Sequence, residues 1–387
     1  MKRLGALLLV AFFVLGVTAV QAAEPIKIGA FFSLSGPAAN IGIPTKLVTE
    51  MVVDKINKEG GINGRPIELI VGDTESDPTK AVMVVKKFIN VDKVAAIIGP
   101  DTTDLGMAVK KQVEEAGIPT FMTVGGDPVI MGGGHLGTFK WVFKSPQRSS
   151  TAVEKLYQYM QQKNLKKIAL ITASDGFGKD GKGWLHKLAP KHGLTIVADE
   201  SFNPKDTDMT SQLTKITATN PDAIVCWTIG PAGPIVAKNI KQLNIKTPLF
   251  QCHGQPGPKY IELAGTASEG NMMPSTKLMA WEQLPDSDPQ KKVIKEFVHL
   301  YNDVYHYNKE YPINTHSGYA WDAIYIVANA MKKAGTNPEK LREAIEHTKN
   351  YVGVSGIYNL TPEDHNGLDT NSMIMVRIEK GKWKLVK

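Results

Sequence analysis

Between Ile26 and about Leu263, short apolar runs alternate with longer amphipathic ones, and few folds accept that rhythm. A strand that reads as an unbroken apolar run must be buried on both faces. An amphipathic segment between two such strands supplies the cover, so the pattern predicts an α/β chain with parallel sheets packed between helices. Strands are expected at 26–32, 67–71, 94–98, 118–122, 167–172, 194–199, 222–227 and 247–252. The helix after the first strand is the clearest. In "PTKLVTEMVVDKINKEGG" the residues Leu47, Val48, Met51, Val52 and Ile56 recur at helical spacing, Pro44 suits the first turn, and Gly60-Gly61 suits the stop.

The pattern runs through twice, since strand starts at 67, 94 and 118 recur at 194, 222 and 247. Two similar lobes in tandem follow, and a chain of 387 residues is long enough to need two cores. After residue 274 the alternation breaks at "PSTKLMAWEQLPDSDP". Helical segments at 288–309, 316–334 and 338–348 come next, then short strand-like runs in "YVGVSGIYNL", "MIMVRI" and "KWKLV". Helices with no strand of their own must pack on an existing sheet, and the first lobe has fewer helices. The chain is therefore expected to return to lobe one near 275 and to cross again near 350. Lobe one would be 24–145 plus 275–350, and lobe two 146–274 plus 351–387.

The N-terminus predicts the compartment. Lys2 and Arg3 precede the apolar run Leu4 to Val20, and Ala22 and Ala23 follow, the pattern of a cleaved secretory signal over 1–23. The mature chain is expected in the periplasm. Of the formal net charge of +7, Lys2 and Arg3 leave with the signal, and the rest is spread in pairs such as Lys86-Lys87 and Lys166-Lys167. Nucleic-acid binding would need a concentrated basic stripe, so no nucleic-acid partner is expected. Of the only two cysteines, Cys226 and Cys252, a single bridge and two buried thiols fit equally well.

In open parallel sheets a ligand sits beyond the carboxyl ends of the strands, where loops and helix N-termini converge. Four loops qualify in lobe one: "SLSGPAANIG", "GDTESDP", "GPDTTDLG" and "TVGGDP". In the third, Thr102 and Thr103 place hydroxyls beside the free backbone donors of a starting helix, a setting that favours an anion, although ordinary helix capping explains the same residues. The stretch "GFGKDGKG" has the two glycines and the Lys of a phosphate loop at Gly176, Gly181 and Lys182, but Gly183 stands where a hydroxyl must hold magnesium. A plain strand-to-helix turn is the better reading. Neither a G-x-S-x-G elbow nor H-E-x-x-H nor a metal-spaced Cys/His set occurs, so no enzyme activity, cofactor or metal is expected. Of nine histidines, His135, His253 and His316 fall where they could face a cleft, and His192 is expected at the surface. The one pair that could serve acid–base chemistry is His253 with Asp175.

The stretches "IKIGAFFSLSGPAANIG", "INKEGGINGRPIELIVGDTESDPTKAV", "VAAIIGPDTTD", "EEAGIPTF" and "DGFGKDG" together resemble the periplasmic solute-binding proteins of ABC transporters, in the leucine/isoleucine/valine-binding branch also called extracellular ligand-binding receptors. The resemblance spans essentially the whole mature chain. It implies two Rossmann-like lobes of the type I periplasmic binding fold, joined by three crossings that act as a hinge, and a monomer that delivers its ligand to a membrane permease. It implies that Thr102 and Thr103, with Val124 and Gly126, hold a ligand carboxylate, and that Phe177 covers the ligand. Ile229 and His253 match further pocket positions. Two departures stand out: His253 occupies the place of an acidic side chain that helps hold an ammonium group, and Ile41 replaces a pocket tyrosine. Asp101, Asp127 or Asp175 could substitute for the missing acid. The solute is then a branched-chain amino acid; otherwise it is a small carboxylate with an apolar or aromatic body and no α-amine. Ser33, Ser35 and Asn40 of the first loop are candidate polar contacts. Alternatives on the same fold are a ligand-sensing input for a signalling partner and a binder of amide- or urea-type solutes.

Overall fold

The computed structural model of the chain describes residues 24–386, so the expected signal at 1–23 lies outside the described residues. The first lobe is built on β1 (Ile26–Phe32), β2 (Ile67–Asp73), β3 (Ala96–Ile98) and β4 (Thr120–Met122). The glycine-rich β5 (Met131–His135) stays outside the sheet, and β6 (Val142–Lys144) completes it. All five sheet strands run parallel in the order β2-β1-β3-β4-β6. The second lobe repeats this with β7 (Lys167–Ala173), β8 (Thr195–Phe202), β9 (Ala223–Trp227), β10 (Leu249–Gln251) and β11 (Met272–Thr276), in the order β8-β7-β9-β10-β11. The repeat read from strand spacing is thus a repeat of topology. β12 (Tyr351–Val352) and β13 (Ile357–Tyr358) form a separate antiparallel pair, and β14 (Met373–Glu379) and β15 (Lys382–Leu385) extend the second sheet antiparallel beyond β11.

Helices cover both faces, as buried parallel strands require. Lobe one carries α1 (Ala39–Lys58), α2 (Pro78–Lys87) and α3 (Thr103–Ala116), and lobe two carries α4 (Ser149–Gln162), α5 (Gly176–Leu188), α6 (Thr210–Thr217), α7 (Ala232–Gln242) and α8 (Pro258–Ala264). The late helices α9 (Lys291–His299), α10 (Ser317–Ala334) and α11 (Pro338–Glu346) return to lobe one. There Ile324 and Val327 of α10 share a core with Ile28 and Ala30 of β1 and with Val48 and Val52 of α1. The opposite face of the same sheet packs Phe31 and Ile97 against Val85, Val109 and Val113.

Several expectations shift. Helix α1 starts at Ala39, so Pro44 lies within its second turn instead of its first, where it forfeits one backbone bond; Gly60 then ends the helix with a positive φ of 98°. The segment expected as one helix over 288–309 stops at His299, passes through a π turn at Leu300–Val304, and breaks at the left-handed His306. Strands β6 and β11 were not expected, because "VFK" is short with a lysine and "MMPST" contains Pro274. The third crossing falls later than 350: Val354, Tyr358, Leu360 and Leu368 pack in the core of lobe one, whereas Met373 and Met375 pack in lobe two. The apolar spacing of "YVGVSGIYNL" announces strands without saying which sheet they join. His192 is buried between Gln161 and Glu154 instead of lying at the surface.

The cysteines are both free and buried. Cys226 packs with Ile224 on one face of the second sheet, and Cys252 packs with Phe250, Val225 and Trp227 on the other. Side chains alternate faces along a strand, so neighbouring strands place these thiols on opposite sides, and no bridge forms.

The segment that leads into the third crossing is laced to the other two. Tyr358 Oη–H donates to the Ser145 carbonyl at 2.7 Å, Asn366 Nδ2–H to the Pro146 carbonyl at 2.7 Å, and Gln147 Nε2–H to the Ser355 carbonyl at 2.6 Å. Gln290, at the end of the second crossing, donates to the carbonyls of Gly353 and Val354.

Candidate functional site

Helix α3 starts where β3 ends, and its first turn faces the cleft between the lobes. Gly106 N–H is the first amide to find an acceptor in the helix, the Thr102 carbonyl at 3.0 Å, which leaves the amides of Thr103, Asp104 and Leu105 without an intrahelical partner. Thr102 is the extended N-cap residue, yet its side chain makes no capping bond. The Thr103 hydroxyl is buried and has no partner among the described residues. Capping therefore does not explain these residues; together they offer donors at the positive end of a helix of 14 residues.

From lobe two, Phe177 in the first turn of α5 and His253 after β10 approach the same point. Their rings lie 5.6 Å apart, and Trp227 packs 5.6 Å from His253 behind them. Both His253 nitrogens are buried without a partner among the described residues. Burial, with Lys144 and His316 nearby, pushes the imidazole down to about 3, so it is neutral at ordinary pH and keeps one donor and one acceptor nitrogen. His316, half-buried and pushed down to about 4 by its surroundings, donates from Nε2 to the Gly254 carbonyl at 3.1 Å.

These groups enclose a small cavity of ≈ 20 Å³, room for little more than a water, so a solute enters only as the lobes part or the wall yields. Asp101, Thr102, Thr103, Gly125, Pro146 and Tyr319 line it from lobe one and the first crossing; Phe177, Ile229, His253 and Gly254 line it from lobe two, and His316 completes it. The one carboxylate in the wall is engaged: Asp101 accepts from Ser33 N–H and from the Ser33 hydroxyl, both at 3.0 Å, and burial raises it to about 6. Asp127 accepts from Ser149 N–H and the Ser150 hydroxyl, and Asp175 caps α5 by accepting from Gly178 N–H at 2.7 Å. His253 and Asp175 do not form a hydrogen-bonded pair.

The lobes meet directly around the cavity. Gly176 N–H donates to Asp104 across the cleft at 3.0 Å, Asp127 N–H donates to Asp180 at 2.9 Å, and Thr315 N–H donates to the Pro256 carbonyl at 3.0 Å. A methyl added to Gly125 would stand 3.0 Å from Phe177 Cε2 and 3.2 Å from His253 Nε2. The structure is a closed cleft.

Residues 25–382 match the family model described as periplasmic binding protein. The chain belongs to the periplasmic binding protein family. An extracellular ligand-binding receptor from Rhodopseudomonas palustris superposes with a TM-score of 0.85 at 30% identity, over 94% of this chain and 99% of that one. A branched-chain amino acid transporter substrate binding protein from Streptococcus pneumoniae, solved with isoleucine, superposes with a TM-score of 0.79 at 26% identity, over 94% of this chain and 99% of that one. Among curated relatives, a leucine-, isoleucine-, valine-, threonine- and alanine-binding protein of Pseudomonas aeruginosa is 24% identical over 84% of this chain and 83% of its own length. The type I fold of this periplasmic binding protein, read from sequence, is that of its solved neighbours, and the family is one of solute-binding receptors.

Of the residues that sequence singled out in this periplasmic binding protein, Thr102, Thr103, Phe177, Ile229 and His253 converge on the cavity. Val124 does not line it; its side chain is buried beneath the loop with Met122 and Val129. Gly126 lies against Thr103, where a Cβ would come within 2.7 Å of that side chain, so it makes room for Thr103. Ile41 is buried against a second cavity that also takes Asn40. Ser33 is spent on Asp101, and Ser35 on Asp73 at 2.9 Å. Gly125 and Gly254 were missed although they sit in strand-end loops beside residues that were singled out, and Pro146 and Tyr319 were missed because only the folded crossings bring them to the cleft. The phosphate-like glycines have a packing explanation: Gly181 lies under the Trp227 indole, and Gly176 against the Asp104 carboxylate that its amide meets.

Proposed function

We propose that this protein is the periplasmic substrate-binding component of an ABC importer of the branched-chain amino acid type, and that its solute is a small carboxylate with an apolar body and no α-amine. The observation that carries this reading is the set of unpartnered polar groups in the cavity wall. The first amides of α3 and the Thr103 hydroxyl suit a carboxylate, and the neutral His253 suits an apolar body or a second, uncharged polar group. Both groups are buried, and a buried polar atom without a partner is costly until a ligand supplies one.

An α-ammonium is poorly served by the same wall. Asp101 is the only acid there and already accepts two bonds from Ser33, while His253 stands where the resemblance to this branch implies an acid. An ammonium buried without an ionised acceptor costs several kcal/mol. The apolar body would lie between Phe177, Ile229 and Tyr319. Closure would follow from differential affinity: ligand touching both lobes favours the closed state, which the permease then meets.

The reading is tested by thermal shift against branched-chain amino acids, short-chain acids, aromatic carboxylates and amides. Ligand at a hundredfold excess over Kd stabilises by about 2.7 kcal/mol. Shifts are expected with the acids that lack an amine; a response confined to amino acids or to amides sinks the proposal.

A further inference from the structure

A second, more open cavity, larger at ≈ 360 Å³, adjoins the first. Pro37, Ile41 and Pro44 of the α1 entrance form one wall, Pro231 and Pro234 at the start of α7 form the opposite wall, and Tyr311 contributes from the loop before α10. Stiff apolar walls of this kind present a fixed surface at little cost in side-chain entropy. Lys259, Glu262 and Glu310 also border it, and the exposed Lys259 and Glu262 neutralise each other in an ion pair at 2.6 Å.

The two cavities share Gly254 and His316. The two shared residues are joined by one contact, the bond from the His316 ring to the Gly254 carbonyl at 3.1 Å, where the two linings meet. A neutral hydrogen bond of this kind is weak in net terms, and the ring is held otherwise by packing on Tyr319 at 5.9 Å.

We infer that the two cavities are compartments of one binding site: the inner takes the carboxylate, and the outer takes the distal apolar chain of longer monocarboxylates once the His316 ring swings aside. The inference rests on the reading of the inner cavity as a carboxylate site and adds a ligand class, elongated aliphatic or aryl-alkyl acids.

The test is calorimetric titration with straight-chain acids from butanoate to octanoate, on the native protein and on Asn40→Trp. Asn40 is exposed in the first turn of α1 and borders only the outer compartment, so its replacement partly fills that compartment without touching the inner one. Each methylene moved from water to an apolar wall is worth about fourfold in affinity. Native protein is expected to bind each longer acid about fourfold tighter through the whole series. Asn40→Trp is expected to leave butanoate unchanged and to weaken octanoate at least tenfold. Affinity that peaks at butanoate and falls with length, or an octanoate affinity untouched by Asn40→Trp, overturns the inference while leaving the inner site in place. If no acid of any length binds, the inner-site reading and the inference fall together.

Discussion

Gly125→Ala separates closing from folding. Gly125 follows β4 in lobe one, and the atoms its new methyl would meet, Phe177 Cε2 at 3.0 Å and His253 Nε2 at 3.2 Å, belong to lobe two. The backbone there does not have a positive φ, so alanine costs no conformational strain. The ring has to yield by a few tenths of an ångström, but only when the lobes are together. Overpacking of this kind costs about 1–3 kcal/mol, and the small displacement argues for the lower half of that range. All of it is charged to the closed state, which predicts ligand binding weakened by about 5- to 30-fold. The unliganded protein should melt within about 0.5 kcal/mol of the native one, as distant surface changes do. Calorimetric titration and a melting curve give the two numbers. Unchanged affinity would refute the claim that the cleft closes on Gly125, and an equal loss of unliganded stability would show that the contact belongs to folding.

Thr103→Val keeps the shape of the side chain and removes a hydroxyl that no protein group uses. Carboxylate affinity should fall about 10- to 100-fold, the worth of a hydrogen bond to a charged group, with the unliganded melting temperature unchanged; a stability loss without an affinity loss would assign the hydroxyl a structural role. The low His253 value sets a pH dependence. Unfolded histidine titrates near 6.5 and the folded group near 3, so its contribution is complete above about 6.5 and is lost as the pH falls toward 3. Native protein should lose up to about 3 kcal/mol more than His253→Leu between pH 7.5 and 4.5 in denaturant titrations, and parallel curves would contradict a buried neutral imidazole. Gly181→Ala places a methyl 2.2 Å from Trp227 Nε1. It should destabilise by about 1–3 kcal/mol by melting, and a neutral effect would return that glycine to the list of functional candidates.

Much of the architecture was legible because it is local. Strand β1 matches its expected bounds, and the spacing of the apolar runs anticipated two similar lobes, which share one strand order. What sequence could not supply was long-range assignment. Strand β6 carries Lys144, whose ammonium is buried, pushed down to about 8, and donates to the Gly125 carbonyl, so its residues do not look like those of a buried strand. The hairpin β12-β13 shows strand residues without a clue to its lobe. At the site, Thr103 and His253 were visible as chemistry at strand ends. Tyr319 and Pro146 had no local signal, because they reach the cleft through the crossings. Ile41 illustrates the limit of resemblance: it faces a cavity, but the outer one.

The most direct test of the central claim compares two ligands that differ only by the amine, 4-methylpentanoate and leucine, by calorimetric titration on the same preparation. The two share one carboxylate and one branched apolar body, so their difference isolates the cost of placing an ammonium among Asp101, His253 and Phe177. A penalty of several kcal/mol predicts that 4-methylpentanoate binds at least about a hundredfold tighter. Leucine binding as tightly as the amine-free acid, or more tightly, would contradict the account and return Asp101 to the role of ammonium acceptor.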